Sequence, residues 1–448
     1  MKSTGAAAFG AEEAVVRPLL ETTRRFYWLT SVLLGLVGAG LVAYIYQLRN
    51  GLGVTGMNVP VYWGVYITNF VFFIGISHAG TLISAILRLA RAEWRRSITR
   101  AAEVITVMVI VFGAGSVILD LGRPDRVLNV LRYPNLRSPL VWDVCSITVY
   151  LIASTIYLYL PLIPDLALLR DHLGRRRWLY RLLAIGWTGS QRQHRLLERA
   201  ITVMAVLVIP IAVSVHTVVS WVFAMTVQPM WHSAIFGPYF VVGAIFSGIA
   251  SIIIAMALIR WAYRLQGYFK PVHFNHLGLL LLVMSLLWSY FTFSEYLTTF
   301  YGAAPEHMSI FWSKLTGEFA ALTWTMVVLC FVVPLLLLGP RRTRTVTGTV
   351  IASVAVVIGM WIERYIIVVP SLARPRLPLA KGAYLPTLVE LTLTVAFFAG
   401  FILLYLLFTK LFPIVSIWEV REGRAHAVEE VGERVRSYQP EPQEVHGG

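Results

Sequence analysis

The sequence has few charged residues for its length. Asp, Glu, Lys and Arg make up 14% of the 448 residues, whereas soluble domains carry about 25%. Hydrophobic residues make up 57% of the chain, and its mean hydropathy is +0.70. This balance excludes a soluble protein and indicates a chain that lies in a lipid bilayer.

Cysteine is also scarce. Cys145 and Cys330 both fall within apolar runs, and neither belongs to a CxxC or CxxCH motif. The chain alone therefore lacks the ligands for a disulfide framework, a zinc site, an iron–sulfur cluster or a c-type haem. We expect two buried free thiols. A b-type haem is disfavoured too, because His78 and His216 are the only histidines deep in apolar runs.

Long apolar runs recur from end to end. About 20 apolar residues in a helix cross the roughly 30 Å hydrocarbon layer of a bilayer. The sequence predicts an all-α polytopic membrane protein whose membrane domain spans residues 26–412, between polar tails at 1–25 and 413–448. The ten predicted spans are Phe26–Tyr46, Tyr62–Leu89, Ala102–Leu119, Pro139–Leu160, Ala200–Thr226, Ile235–Tyr263, Leu277–Thr299, Phe319–Leu338, Thr347–Val369 and Pro386–Phe412.

The positive charge predicts the orientation of these spans. Lys and Arg number 38 against 23 Asp and Glu, and most lie in the tails and in alternate loops. Since cytoplasmic loops are enriched in Lys and Arg, both termini are predicted to be cytoplasmic. The net charge of +15 then reflects topology rather than nucleic-acid binding. The outer loop Gly122–Ser138 is an exception, with four arginines: Arg123, Arg126, Arg132 and Arg137.

Ionisable residues within the spans are candidates for function, because a charge in hydrocarbon is costly. In the predicted orientation only His78 lies near the midplane. The others lie toward the outer side, where a proton-linked site open to the outside would need them: Asp120, Asp143, His216, Glu295, Glu318, Glu363, Arg364 and Glu390.

Structural roles remain open for four of these residues. Glu318 and Glu390 lie near predicted helix N-termini, where the helix dipole favours a carboxylate. An ion pair with neighbouring helices is the alternative for Glu363 and Arg364.

A functional and a structural role are also the alternatives for Asp120, Asp143 and His78. Local pairing with Arg123 or Arg126 is the alternative for Asp120. Function is favoured for Asp143, since it is the one carboxylate in an otherwise apolar helix. Function is also favoured for His78 over a simple interhelical hydrogen bond, although its small neighbours permit close helix packing.

These residue types suit quinol oxidation. That reaction needs one acceptor for each hydroxyl proton, such as a histidine and a carboxylate on opposite sides of an apolar cleft. His78 with Asp143 or Asp120 would supply both acceptors. Aromatic residues predicted to wall the cleft are Phe72, Phe73, Trp142 and Tyr62.

Several segments resemble one family of membrane subunits. DLGRPDR at Asp120–Arg126 and NLRSPLVWD at Asn135–Asp143 are the most specific of them. Further similarity lies at Val54–Leu89, Ser214–Trp221 and Trp231–Gly248. The sequence resembles the NrfD/PsrC family of quinol-interacting subunits. Its ten spans are most similar to the ActC branch, the larger membrane subunit of alternative complex III.

The resemblance implies a fold of two four-helix bundles plus two flanking helices in a bacterial cytoplasmic membrane. It implies menaquinol oxidation near the outer face, without haem or an iron–sulfur cluster in this chain. Electrons would pass to an iron–sulfur subunit docked outside and then to multihaem cytochrome c subunits. A second NrfD-like membrane subunit is a further expected partner, and protons would be released or translocated.

The resemblance also implies roles for individual residues. His78 and Asp143 are the catalytic candidates, with Arg123, His216 and His232 as secondary ones. From the residues themselves we add further candidates for quinol binding, namely Asp120, Trp142 and Tyr62. The candidates for a proton pathway are Glu295, Glu390, Glu363 and Arg364, and no metal ligand is predicted.

Two alternatives stay open. The first is the membrane anchor of a polysulfide reductase-like molybdoenzyme, because the partner subunit decides where electrons go. The second is a proton-coupled secondary transporter, which would be expected to show inverted repeats and helices broken at the midplane. No paired pattern of that kind is visible between the two halves of the sequence.

Overall fold

A computed structural model describes residue 10 and residues 12–174, 176–226, 228–376 and 382–425 of the chain. Within these residues, ten helices are long and apolar enough to cross a membrane. This confirms the prediction of an all-α polytopic membrane protein. We label the ten helices α1 (Arg24–Asn50), α2 (Val65–Leu89), α3 (Thr99–Asp120), α4 (Pro139–Tyr159), α5 (Gln191–Ala224), α6 (Phe236–Ala262), α7 (Pro271–Gly302), α8 (Ala320–Leu338), α9 (Val346–Ala373) and α10 (Leu388–Leu411).

The helices form two bundles of four. The first contains α2, α3, α4 and α5, and the second contains α6, α7, α8 and α9, each helix contacting its two neighbours in the ring. The bundles are joined mainly where α6 packs against α2 and α5, and α9 against α2. Helices α1 and α10 pair with each other and flank the first bundle through α3 and α2. This is the arrangement that the sequence predicts.

Small residues allow the closest of these approaches. A side chain at Gly80 of α2 would collide with the carbonyl of Ala102 and the hydroxyl of Thr106 on α3. Likewise, a side chain at Gly40 of α1 would overlap Ala396 of α10. The α2–α3 and α1–α10 contacts therefore depend on glycine.

The two ends of the bundles differ. We call the end that carries residues 12–21, 90–98 and 413–425 the tail face, and the end that carries residues 51–64, 121–138 and 303–319 the loop face. Shorter helices cover both ends: Glu13–Leu20, Leu162–His172 and Arg177–Leu183 at the tail face, and Asn129–Arg132 and Pro305–Leu315 at the loop face.

The described parts of the tails pack against the membrane domain. Residues 417–425 are helical. Arg421 and Arg424 form ion pairs with Glu12 of the N-terminal segment. Asp165 accepts a hydrogen bond from the backbone amide of Ile417 at 3.0 Å. Residues 1–9 and 426–448 lie outside the described residues.

The prediction of two buried thiols is half wrong. Cys330 is buried in α8, but Cys145 is exposed on α4. An apolar run looks the same whether a helix face meets protein or lipid, so the sequence did not separate the two cases.

Candidate functional site

Two histidines meet in the centre of the molecule. His78 of α2 and His216 of α5 have ring centroids 4.3 Å apart, with the rings edge to face. Both side chains are completely enclosed, and none of their four ring nitrogens has a hydrogen-bond partner in the structure. Unsatisfied polar groups at such depth are costly. The pair is thus the strongest candidate for a functional centre.

Aromatic rings cover this pair on the side toward the loop face. Phe223 lies two turns beyond His216 on α5, and its ring contacts the Trp231 ring with centroids 5.0 Å apart. Trp63 stacks on Trp231 with centroids 5.9 Å apart. The indole of Trp231 also donates to the carbonyl of Ile367 at 2.8 Å, which fixes its orientation.

Asp143 lies on the same side of α4 as a tyrosine that faces the histidines. The Tyr150 ring is 6.3 Å from the His78 ring, and its hydroxyl donates to the carbonyl of Ser77. Asp143 precedes Tyr150 by two helical turns, a rise of about 10 Å toward the loop face. Its carboxylate is 8% exposed, and one of its oxygens has no partner. The structure therefore brings His78 together with His216 and leaves Asp143 above them.

An arginine links the histidines to the second bundle. Arg364 of α9 interacts electrostatically with His216. Its guanidinium carbon lies 5.1 Å from the centroid of the Phe240 ring. Gly243 of α6 leaves the room that its guanidinium occupies. Arg364 pairs with the adjacent Glu363 at 3.0 Å, and both are buried. The sequence-based alternative is an ion pair with neighbouring helices, whereas the structure pairs these two consecutive residues of α9 with each other.

Beyond this pair lies a cavity of about 30 Å³, which is room for one or two water molecules. Its lining includes Glu363, Glu295, Lys314, Tyr239 and Thr292. Lys314 belongs to the short helix Pro305–Leu315, outside the spans. Burial lowers the pKa of Lys314 to about 8, although Glu295 and Glu363 act in the opposite direction. Glu295 also interacts with Ser233 and His232 near the loop face.

Two acidic residues at the loop face differ in their surroundings. Glu390 accepts hydrogen bonds from the Gly56 and Thr387 amides, the Thr387 hydroxyl and the Tyr384 hydroxyl. These contacts cap α10 and indicate a structural role. Asp120 has a buried oxygen without a partner.

The local pairing considered for Asp120 is wrong. Arg123 instead pairs with Asp125 at 3.0 Å, on the exposed surface of the loop. The chain reverses direction after Asp120, so the next arginine points away from the helix end.

Several predicted quinol-binding residues lie apart from the histidines. Trp142 is 42% exposed, and its indole donates to the carbonyl of Leu136. Tyr62 is 44% exposed and accepts a hydrogen bond from Gln228. His232 is exposed beside His307, with centroids 4.9 Å apart.

Two aromatic residues predicted to wall the cleft contact one of the flanking helices. Phe72 and Phe73 pack against Phe398 of α10. Among the other loop-face acids, Glu318 pairs with Arg374 at 2.7 Å. That contact favours the structural role left open for Glu318.

Sequence reasoning missed a second set of buried polar groups. Glu103 is 3% exposed in α3 and accepts a hydrogen bond from Ser84 of α2. It lies one residue inside the predicted span Ala102–Leu119, whereas the helix begins at Thr99. The signal that could have found it is the spacing of Ser77, Thr81 and Ser84, which places three hydroxyls on one face of α2.

The fold and the site define an integral membrane protein with protonatable groups buried between two four-helix bundles. In the part of the chain that the structure describes, no cluster of three or more His, Cys, Asp or Glu side chains could hold a metal ion. A family model described as polysulphide reductase, NrfD, matches residues 53–376. The chain belongs to this family.

Known relatives match most of the chain. One, from Halobacterium salinarum, is named as a membrane subunit of a dimethyl sulfoxide reductase; it is 28% identical over 82% of this chain and 86% of its own. A selenate reductase subunit from Mesobacillus selenatarsenatis is 22% identical, over 84% and 92% of the two chains. The Hdr-like menaquinol oxidoreductase integral membrane subunit of Archaeoglobus fulgidus is 22% identical, over 89% and 96%.

Proposed function

We propose that this chain is the menaquinol-binding and menaquinol-oxidising membrane subunit of a redox complex. The observation that carries the proposal is the buried, unpartnered pair His78–His216 with Asp143 above it, in a member of the NrfD family. Menaquinol is named because one relative is a menaquinol oxidoreductase subunit by name.

Oxidation of a quinol releases two electrons and two protons, and each hydroxyl proton needs an acceptor. Asp143 lies above the histidines toward the loop face and is nearly buried, so a quinol head group that enters from that side meets it first and gives it one proton. A neutral imidazole of the His78–His216 pair takes the other, because its ring nitrogens are not engaged elsewhere. Both electrons leave for a partner subunit.

The second bundle offers a route for protons toward the loop face. His216 interacts with Arg364, which pairs with Glu363 at the edge of the cavity. Glu295 on the far side of the cavity interacts with the exposed His232. We assign Glu363, Arg364 and Glu295 to this route, and we leave Glu390 out of it because its oxygens already cap α10.

The distribution of basic residues supports an orientation with the tail face in the cytoplasm. We place the chain in a bacterial cytoplasmic membrane with both termini inside. The loop face, including the exposed arginine loop at residues 121–138, then lies outside and offers the docking surface for the electron acceptor.

For that acceptor we propose an iron–sulfur subunit, followed by multihaem cytochrome c subunits and accompanied by a second NrfD-like membrane subunit. This is the composition that the likeness to ActC of alternative complex III implies. A molybdoenzyme partner is the second candidate, because two relatives carry the names of dimethyl sulfoxide and selenate reductases. None of the three relatives is named as a transporter, the third function considered.

Purification of the tagged chain with its native partners tests the assignment. Co-migration of iron–sulfur and multihaem cytochrome subunits, with menaquinol oxidation by the purified complex, is the expected result. If a molybdopterin subunit co-migrates instead, the chain belongs to a reductase rather than to alternative complex III. The proposed quinol site would be unaffected by that result. A chain that purifies alone and shows no menaquinol oxidation would contradict the proposal.

A further inference from the structure

A column of hydroxyl groups runs from His78 toward the tail face, inside the first bundle. Ser77, Thr81 and Ser84 form one face of α2, and Tyr150, Ser154 and Tyr157 form the facing side of α4. The helices run parallel, so these residues meet at three successive levels. All six are essentially fully buried, and none of them is assigned a part in the quinol chemistry above.

The upper level lies beside the histidines. The Tyr150 hydroxyl and the Thr106 hydroxyl of α3 both donate to the carbonyl of Ser77, at 2.8 and 2.7 Å. The Thr81 amide donates to the Thr106 hydroxyl at 3.0 Å. The Tyr150 ring lies 6.3 Å from the His78 ring, so this level is next to the histidine, and the last step to the imidazole requires a rotation of the Tyr150 hydroxyl away from the Ser77 carbonyl or an intervening water.

The middle level continues in the same direction. The Thr81 hydroxyl donates to the Ser154 hydroxyl at 3.4 Å. The Tyr150 hydroxyl also lies within interaction range of both groups. Hydroxyl groups both donate and accept hydrogen bonds, so this level can carry a proton, and the next hydroxyl, Ser84, lies one turn further along the same face of α2.

The lower level contains a carboxylate. Ser84 donates to Glu103 and lies 3.4 Å from the Tyr157 hydroxyl. Glu103 has no arginine in direct contact, although Arg88 and Arg100 act on it from a distance. A buried carboxylate that is not neutralised by an ion pair is costly unless it binds a proton or is used.

The column ends at the tail face. Arg88, one turn below Ser84, pairs with Glu419 of the C-terminal segment at 2.8 Å and with the partly exposed Glu198 at 3.7 Å. From His78 to Arg88 the rise along α2 is about 15 Å, which is half the thickness of the hydrocarbon layer. The column and the Arg88–Glu198 pair beyond it therefore cover the half of the hydrocarbon layer between the midplane and the tail face, and Glu198 is the exposed group at that end.

We propose that this column, with Glu103 as its protonatable carrier, conducts protons between His78 and the tail face. A proton on the imidazole moves through the hydroxyls of Tyr150, Thr81 and Ser84 to the Glu103 carboxylate and then to water beside Arg88, or in the reverse direction. No bond other than those to the proton changes. The inference rests on the proposed function, since it takes His78 as the group that exchanges protons with quinol.

The test uses the complex with its native partners, reconstituted into liposomes with the tail face toward the lumen and a pH-sensitive dye trapped inside. Turnover is driven by a short-chain menaquinol and the natural acceptor of the complex, with valinomycin and potassium present. The change in lumenal pH per electron is compared in wild type, Glu103→Gln, Thr81→Val and Thr349→Val. Thr349 is the matched control, because it is a buried threonine of the second bundle whose hydroxyl has no partner.

We expect a lumenal pH change in wild type that falls at least about tenfold per electron in Glu103→Gln and Thr81→Val. Thr349→Val should behave as wild type, and Glu103→Asp should restore part of the signal. A wild-type lumenal signal in Glu103→Gln, or no lumenal signal in wild type despite turnover, would overturn the inference. Absence of menaquinol oxidation in wild type would instead count against the proposed function.

Discussion

The imidazole rings of His78 and His216 lie edge to face with centroids 4.3 Å apart, at the contact between the two four-helix bundles. This relationship joins two routes that leave the histidines in different directions. One passes from His216 through Arg364 and Glu363 into the cavity of the second bundle. The other follows the hydroxyl column of the first bundle toward Glu103.

Glu390 should be a structural residue. Glu390→Gln replaces an acceptor-only carboxylate by an amide whose NH2 group faces donors, so we expect a loss of about 2 kcal/mol of stability. Menaquinol oxidation should stay at the wild-type rate at temperatures where the variant is folded. The midpoint of thermal unfolding and the turnover rate check both statements.

Glu21→Gln is the control for Glu390→Gln. The Glu21 side chain is exposed, and its one ion pair among the described residues is with Arg17. The midpoint of thermal unfolding of Glu21→Gln should therefore stay close to that of wild type. A folded Glu390→Gln variant with strongly reduced turnover would return Glu390 to the proton pathway that the sequence suggested.

Lys314 should make stability depend on alkaline pH. Its pKa is about 8 in the folded protein, against 10.5 for an unperturbed lysine, because burial disfavours the charge. Between these values the unfolded chain binds more protons, so the stability of the folded state rises with pH. The gain approaches about 3 kcal/mol at full titration.

The prediction for Lys314 is measured against Lys314→Met, which lacks the titrating amine. The unfolding midpoint of wild type should rise relative to that of the variant as pH increases from 8 to 10.5. A constant difference between the two midpoints over this range would show that burial does not lower the pKa of this amine.

The orientation can be tested by cysteine labelling. Cys145 is exposed on α4, so a Cys145→Ser background removes any signal from it, whereas Cys330 is buried. In intact cells Arg126→Cys at the loop face should react with an impermeant thiol reagent. Arg342→Cys at the tail face should react only after the cells are opened. The reverse pattern would invert the topology.

The sequence predicts the ten spans and the individual residues His78, His216 and Asp143 because their signals are local. Apolar length and a charge within it can be read along one helix. The contact between His78 and His216 is not local, because it depends on which helices pack together and how each is rotated. The sequence therefore named Asp143 or Asp120 as the partner of His78, and it did not predict that the ring in contact with His78 is that of His216.

The same distinction explains the other errors. Trp142 and Cys145 flank Asp143 within one turn, but their faces of α4 are exposed while that of Asp143 is buried. Glu103 was missed because a predicted helix end was off by a few residues. Each error concerns the direction of a side chain or the depth of a helix end. The sequence of a membrane helix defines both poorly, because the residues that face lipid and those that face protein are alike apolar.

The central claim is that His78 and Asp143 accept the protons of menaquinol. The direct test is single-turnover menaquinol oxidation by the purified complex carrying His78→Ala or Asp143→Asn. His194→Ala and Asp171→Asn serve as matched controls, because both residues are exposed at the tail face. The account predicts rates at least about tenfold below wild type for the two site variants, with assembled complexes and unchanged controls. Wild-type rates in both His78→Ala and Asp143→Asn would contradict it.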